Sequence, residues 1–122
     1  MQEERVDEVG RKIELAWLTA FYGGLLTDKQ RQVLTLHCEE DLSLAEIAQE
    51  AGISRQGVHD MLTRAAQRLF DMEEKLGMAA RFRRMEDGLE KCRTLLKEKR
   101  YDEAEGVIDT LMRLDQEDNN GL

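Results

Sequence analysis

The sequence predicts an all-α protein, and three observations support this fold class. The 122 residues include no proline, the residue that interrupts helix interiors most strongly. Residues with high helix propensity (Ala, Leu, Glu, Lys, Gln and Arg) are frequent, whereas runs of β-branched residues are few. Apolar residues recur at three- and four-residue steps, which is the period of a helix with one buried face.

The first predicted helix covers residues 4–22 and ends at Gly23-Gly24. Its apolar positions follow the helical period and form one stripe, which we expect to face the core: Val6, Val9, Ile13, Ala16, Trp17, Ala20 and Phe21.

The second predicted helix covers residues 28–39. Thr27 and Gln30 form a capping box at its start, because each side chain can bond the backbone N–H of the other. This helix is expected to bury Val33, Leu34 and either Leu36 or His37.

Residues 43–64 have the pattern of a helix-turn-helix. Ser43 and Glu46 form a second capping box, which opens a short helix. Gly52 can adopt the positive φ that the turn requires, and Ser54 can cap the second helix. Ala48 supplies the small residue needed where two steeply crossing helices touch. The apolar positions predicted to fill the small core between the helices are Ile47, Ala51, Ile53 and Val58.

The second of these helices is predicted to continue from Arg55 to a C-cap at Gly77. Its apolar residues alternate steps of four and three, as in a heptad repeat: Val58, Leu62, Ala65, Leu69, Met72 and Leu76. This stripe is either core beneath the other helices or the seam of a dimer. We expect a two-fold homodimer, the commonest kind of oligomer.

A helical hairpin is predicted to follow, so that residues 1–77 form a helix-turn-helix domain and residues 78–122 a hairpin with a polar tail. Its first helix, about 79–99, carries the apolar positions Phe82, Met85, Leu89, Cys92 and Leu95 or Leu96. Its second helix carries Ala104, Val107, Ile108, Leu111 and Leu114. Asp102 and Glu105 are predicted to form a further capping box.

The net charge of −8 argues against a protein that binds every polyanion. Residues 78–100 carry a net charge of +4 and residues 101–122 carry −6. The basic side chains of the hairpin can either contact phosphate or pair with acidic residues of the last helix, and we favour pairing. The basic residues are Arg81, Arg83, Arg84, Lys91, Arg93, Lys97, Lys99 and Arg100, and the acidic ones Asp102, Glu103, Glu105 and Asp109.

The candidate nucleic-acid-binding residues lie in the helix-turn-helix. Side chains at the start of a recognition helix meet base edges, which here means Arg55, Gln56 and His59, with Asp60 as an additional candidate. Arginine suits guanine, and glutamine suits adenine. The candidates for phosphate contacts are Ser43, Ser54, Thr63 and Arg64, with Lys29 and Arg31 beside them. The alternative is a solvated helix face, because residues 41–70 carry a net charge of −1.

The sequence does not predict an enzyme, a cofactor or a metal site. Neither His37 nor His59 lies near a candidate nucleophile, and the sequence has no Gly-rich phosphate loop. Cys38 and Cys92 fit no metal-ligand spacing and indicate a reducing, cytoplasmic environment. No apolar stretch is long enough to span a membrane, and the polar N-terminus does not read as a secretory signal.

Residues 26–36, followed by the helix-turn-helix pattern, resemble region 4 of bacterial sigma factors. The segments 21–30, 43–48 and 54–58 resemble the YlxM family of small bacterial helix-turn-helix proteins. Genes of that family lie beside those of the signal recognition particle GTPases. The resemblance therefore implies a regulatory protein of that pathway, acting on the GTPase of the particle, on its RNA, or on both.

Two other functions remain open at this point. The exposed residues of the predicted recognition helix are compatible with a sequence-specific, DNA-binding transcriptional regulator. The acidic surface is compatible with a protein-interaction scaffold that binds no nucleic acid.

Overall fold

A computed structural model describes residues 2–120, and the side chains of residues 10–114 and 116. Over this range it contains six α-helices and no strand, which confirms the all-α class. The helices are α1 (Gln2–Tyr22), α2 (Asp28–Cys38), α3 (Leu44–Ala51), α4 (Arg55–Leu76), α5 (Met78–Lys97) and α6 (Tyr101–Asn120). A single turn of 3₁₀ helix, Gly23–Leu25, follows α1.

The chain forms two compact units, Met1–Ala79 and Ala80–Leu122. In the first unit, α1 packs on α2 and α4 through one cluster of buried side chains. Its members are Leu15, Leu18, Tyr22, Leu26, Leu34, Ala65, Ala66, Leu69 and Ala79. A second cluster joins α2, α3 and α4 and consists of Val33, Leu36, Ile47, Ala51 and Val58. The second cluster therefore contains three of the four residues predicted for the helix-turn-helix core, with Ile53 packed at its edge.

The buried face of α1 differs from the predicted one. Leu15, Leu18 and Tyr22 are buried, whereas Ile13 of the predicted stripe is 64% exposed. Trp17 and Phe21 pack at the edge of the cluster. The helix thus carries two adjacent apolar stripes, and periodicity alone does not tell which of them faces the core. The side chains of Val6 and Val9 lie outside the described ones.

The start of α5 is capped by side chains from two other helices of this unit. The hydroxyl of Tyr22 donates to Oε1 of Glu73 (2.5 Å) and accepts from the backbone N–H of Met78 (3.1 Å). The same oxygen of Glu73 accepts from the backbone N–H of Ala79 (3.0 Å). Burial, followed by the hydrogen bond to Glu73, raises the pKa of Tyr22. Two N–H groups that a helix start leaves without intrahelical partners are satisfied in this way.

The apolar stripe of α4 is core rather than a dimer seam along most of its length. Val58, Ala65 and Leu69 are fully buried inside the first unit. Only the last residue of the stripe, Leu76, is more than half exposed, at 53%. The helix ends, as predicted, at Gly77, which adopts the left-handed conformation at φ 62°.

The second unit is built from α5 and α6, which bury Cys92, Leu95, Ala104 and Leu111. The predicted capping box at Asp102 and Glu105 is wrong. The last helix begins at Tyr101, so Asp102 lies within its first turn. Lys99 takes a positive φ of 60° in the preceding turn, and this turn moves the helix start back by two residues relative to the prediction.

Charge pairing at this turn follows the prediction in part. Arg100 donates to both Glu103 and Glu98. The pKa of Glu103 is lowered, first by its hydrogen bond from Arg100 and in addition by the charges of Arg100 and Lys91. At least one basic residue of the hairpin therefore pairs with the acidic helix as expected.

Alanine substitution is expected to have opposite effects on stability at two glycines of the hairpin. A Cβ at Gly88 would lie 2.5 Å from a methyl carbon of Leu111, whereas a Cβ at Gly106 would meet nothing within 4 Å. We expect Gly106→Ala to stabilise the hairpin by about 1 kcal/mol, the difference in helix propensity. Gly88→Ala adds the same propensity but forces Leu111 to move, and overpacking costs about 1–3 kcal/mol.

Urea unfolding of the two variants, with helix content as the signal, measures this difference. Combining Gly88→Ala with Leu111→Ala should remove the clash, so that the glycine change no longer destabilises the protein. Equal effects of Gly88→Ala and Gly106→Ala would show that the two helices do not approach closely at residue 88.

Candidate nucleic-acid interface

The turn between α3 and α4 fixes the direction of the candidate recognition helix. Gly52 adopts the left-handed conformation at φ 71°, and its N–H donates to the carbonyl of Ala48 (3.0 Å). Ser54 then caps α4, because its Oγ accepts from the N–H of Gly57 (2.9 Å). Val58 anchors the first turns of α4 in the core. These contacts leave the outer side of the first two turns exposed.

Three of the predicted base-reading residues lie together on this exposed side. Arg55 and Gln56 are the first two residues of α4, His59 lies about one turn further along, and all three are exposed. Nε2 of Gln56 donates to Oδ1 of Asp60 (3.0 Å), and Nδ1 of His59 lies 3.7 Å from the same oxygen. A carboxylate therefore sits between the two side chains that would meet bases.

The two serines are structural caps as well as candidate phosphate ligands. Oγ of Ser43 accepts from the N–H of Glu46 (3.2 Å), while Oε1 of Glu46 accepts from the N–H of Ser43 (3.1 Å). These hydrogen bonds lower the pKa of Glu46, with the one from the Ser43 backbone as the largest cause. The stabilising effect of the Glu46 carboxylate is therefore complete at neutral pH, and it is lost only as the pH falls through that lowered pKa. Each serine O–H remains a donor that can still reach an anion.

Thr63 and Arg64 do not belong to one patch. Oγ1 of Thr63 donates to the carbonyl of His59 (2.9 Å), and Thr63 lines a cleft together with His59. Arg64 is exposed and does not line the cleft. The seven predicted residues therefore do not form one patch. Ser54, Arg55 and Gln56 lie at the start of α4, and His59 and Thr63 line the cleft. Ser43 caps α3, and Arg64 lies outside the cleft.

The cleft beside α4 contains basic residues that sequence reasoning missed. It has a volume of about 460 Å³ and is lined by Arg11, Lys12, Leu15, His37, Leu44, His59, Leu62, Thr63 and Ala66. Nζ of Lys12 donates to Oδ1 of Asp41 (2.5 Å), which lowers the pKa of that carboxyl. Sequence reasoning missed these two basic residues because the stripe expected to be buried on α1 did not include Leu15, which lies three or four residues after them.

The two basic residues predicted to flank the site are engaged inside the unit. Lys29 donates to the carbonyl of Ala51, at the end of α3. Nη2 of Arg31 donates to Oδ1 of Asp28 (2.7 Å). Lys29 thus holds the end of α3 by binding one of its free carbonyls.

Among the side chains of residues 10–114 and 116, no group of three or more His, Cys, Asp and Glu is arranged to hold a metal ion. Within residues 2–120 no helix is long and apolar enough to cross a membrane. Cys38 is half-buried, and burial raises the pKa of its thiol.

The fold and the capped, exposed start of α4 define a helix-turn-helix protein. A family model described as "Putative helix-turn-helix protein, YlxM / p13 like" matches residues 9–108. The chain belongs to this family, UPF0122. This membership confirms the resemblance to YlxM proteins.

Curated relatives named UPF0122 protein support the assignment. The one from Desulforamulus reducens is 49% identical over 65 residues, which is 53% of this chain and 56% of that protein. The one from Clostridium botulinum is 40% identical over 72% of this chain and 81% of the relative. The Bacillus pumilus relative is 39% identical over 81% and 91%, respectively. The match to the first of these thus spans little more than half of its length.

The negative charge of Asp60 should weaken the binding of any polyanion that approaches α4. Gln67 and Asp71 repeat the pairing of Gln56 and Asp60 eleven residues further along the helix (2.9 Å). Eleven residues correspond to about 16 Å, which exceeds the Debye length of about 8 Å at physiological salt. We expect Asp60→Asn to tighten duplex DNA binding several-fold, about 1 kcal/mol, and Asp71→Asn to have a smaller effect.

Fluorescence anisotropy with a labelled duplex, at two salt concentrations, measures both variants. Each variant removes one negative charge and keeps an oxygen that can accept from its glutamine. Equal tightening by both would mean that only net charge matters and that α4 is not the contact surface.

Proposed function

We propose that this protein is a cytoplasmic regulatory protein of the signal recognition particle pathway that binds nucleic acid through α4. In this proposal residues 1–77 are the nucleic-acid-binding domain, and the protein acts as a homodimer. Family membership supports the helix-turn-helix mode of binding. The link to the signal recognition particle rests on the resemblance to YlxM proteins alone.

One observation carries the proposal of nucleic-acid binding. Arg55, Gln56 and His59 project from a helix start that is held by the Ser54 cap and by buried Val58. A side chain on a rigid element loses little conformational freedom on binding, so short contacts to bases are favoured. The partial positive charge of the helix start also attracts phosphate.

Duplex DNA fits this surface better than duplex RNA does. The major groove of B-form DNA is about 12 Å wide and admits a helix, whereas that of A-form RNA is too deep and narrow for side chains to read. In the DNA mode Arg55 would contact guanine, while Gln56 would have to leave Asp60 to contact adenine. The phosphates would be bound by Ser43 and Ser54 on one side and by Thr63 or Arg64 on the other.

The signal recognition particle offers two further partners, its RNA and its GTPase. An RNA partner would be bound at an unpaired loop or end, where bases are accessible. A GTPase partner would make the protein an interaction module, for which the net charge of −8 is suited to a basic surface. A sequence-specific transcriptional regulator and a scaffold without nucleic acid remain the alternatives.

Replacement of Arg55 tests the DNA-binding mode. We expect Arg55→Ala to weaken binding to the preferred duplex by about 1–3 kcal/mol and to relax sequence preference. Lys75→Ala, in the last turn of α4, is the matched control, because it removes the same charge from an exposed position 20 residues, or about 30 Å, from Arg55. The duplex is first selected from a random pool with the unmodified protein, and affinities are then measured at fixed salt. Equal weakening of all duplexes by both variants would contradict base reading by α4.

Affinity capture from a bacterial lysate distinguishes the partner classes. Half of the sample is treated with nucleases, and the bound material is identified by sequencing and by mass spectrometry. We expect bound nucleic acid that is lost on nuclease treatment and is reduced by Arg55→Ala. The GTPase of the particle bound after nuclease treatment would instead support the interaction module. Recovery of neither particle component nor a specific DNA would contradict the proposed pathway.

A further inference from the structure

The hairpin of α5 and α6 buries its apolar residues on one side only. The helices are in register where Sγ of Cys92 contacts the carbonyl of Ala104 (3.6 Å) and where Gly88 faces Leu111. This register places three further pairs of apolar residues at matching levels: Leu96 with Tyr101, Leu89 with Ile108, and Met85 with Met112. All of these except half-buried Met85 are between 44% and 61% exposed.

These residues form one continuous face, which we call the open face of the hairpin: Met85, Leu89, Leu96, Tyr101, Ile108 and Met112. At about 100° per residue, these residues are rotated by about 75° around the helix axis from the buried positions. The rotation has the same sense on both helices. Because the two helices are antiparallel, equal rotations turn both stripes to the same side. Leu89 and Leu96 are seven residues apart, as are Tyr101 and Ile108, which is the spacing of bundle interfaces.

The opposite side of the hairpin has a mixed surface. A shallow depression there is lined by Lys91, Arg100, Glu103 and Thr110 and also by Leu95, Val107 and Leu111, and Arg100 pairs with Glu103. The hairpin thus carries exposed apolar side chains on its open face and charged side chains around the depression on the other side. Two helices in a unit of this size bury too little apolar surface to be stable alone, and oligomerisation is a usual remedy.

We infer that the open face binds the open face of a second copy of this chain, so that two hairpins form a four-helix bundle. This inference rests on the homodimer included in the proposed function and gives its surface. Charge selects the arrangement, because α5 lies in the segment of net charge +4 and α6 in the segment of −6. The α5 helix of one copy therefore packs beside α6 of its partner rather than beside the partner's α5.

The residues along the rim of the open face are consistent with this arrangement. A two-fold axis parallel to the helices brings matching levels of the two copies together. Four pairs of charged side chains then face each other between the two copies along the rim. Three of these pairs join opposite charges, and one joins like charges. The opposite pairs are Lys97 with the partner's Asp102, Arg93 with the partner's Glu105, and Glu86 with the partner's Arg113; the like pair is Glu90 with the partner's Asp109.

Sedimentation of the full chain tests the inference, starting from the mass of the unmodified protein. We expect a species of twice the 14.1 kDa chain mass at micromolar concentration. Leu89→Glu should weaken the dimer at least about tenfold, as loss of a central interface residue does. Leu25→Glu is the matched control, because Leu25 is 57% exposed in the first unit and Leu89 is 56% exposed. It should leave the dimer unchanged.

Charge reversal tests the arrangement. Arg93→Glu alone should weaken the dimer, and combining it with Glu105→Arg in the same chain should restore it. Failure of restoration, with helix content unchanged, would overturn the pairing of α5 with the partner's α6. Ile108→Glu, on the other helix, checks the face if Leu89→Glu does not fold.

A monomer at all concentrations, or equal dissociation by Leu25→Glu and Leu89→Glu, would overturn the inference itself. Such a result would not by itself contradict the proposed nucleic-acid binding. A monomer that still binds duplex DNA in a way that depends on Arg55 would retain the nucleic-acid site and lose only the dimer.

Discussion

The turn at residues 52–54 is the constraint on which the candidate site depends. Only a residue that tolerates positive φ fits at position 52, and glycine does so without steric cost. The cap at Ser54 then starts α4 at once, so three residues separate the two helices. Lys29 holds the carbonyl end of α3, and Val58 holds the start of α4 in the core. A different turn would change which side of α4 faces the solvent, and with it every proposed contact.

Features that depend on neighbours in the sequence could be predicted, whereas those that depend on distant segments could not. The capping boxes at Thr27 and Ser43 need only residues three apart, and both are present as expected. The buried face of α1 was misjudged, because the choice between its two stripes depends on how α4 packs against it. The capping box at Asp102 is an exception among the local features, because Lys99, only three residues earlier, takes the left-handed conformation and α6 begins before Asp102.

The same distinction applies to the candidate site. The exposure of Arg55, Gln56 and His59 follows from the predicted helix and its core residue Val58, so sequence reasoning identified them. The cleft that joins Arg11 and Lys12 to His59 exists only because α1 crosses α4, and no local pattern contains that information. The pairing of Gln56 with Asp60 is a local i, i+4 contact, and its significance appears only when both lie on the presented face.

An acidic protein that binds nucleic acid requires a physical account. Long-range attraction to phosphate supplies most non-specific affinity, and a net charge of −8 weakens it. Hydrogen bonds to base edges act only at contact, so they are little affected by charges beyond a Debye length of about 8 Å. On the proposed function, affinity would therefore come mainly from a few base contacts near Arg55, and random sequences would be bound poorly. A dimer doubles those contacts without adding positive charge, which links the open face of the hairpin to the selectivity of the helix-turn-helix.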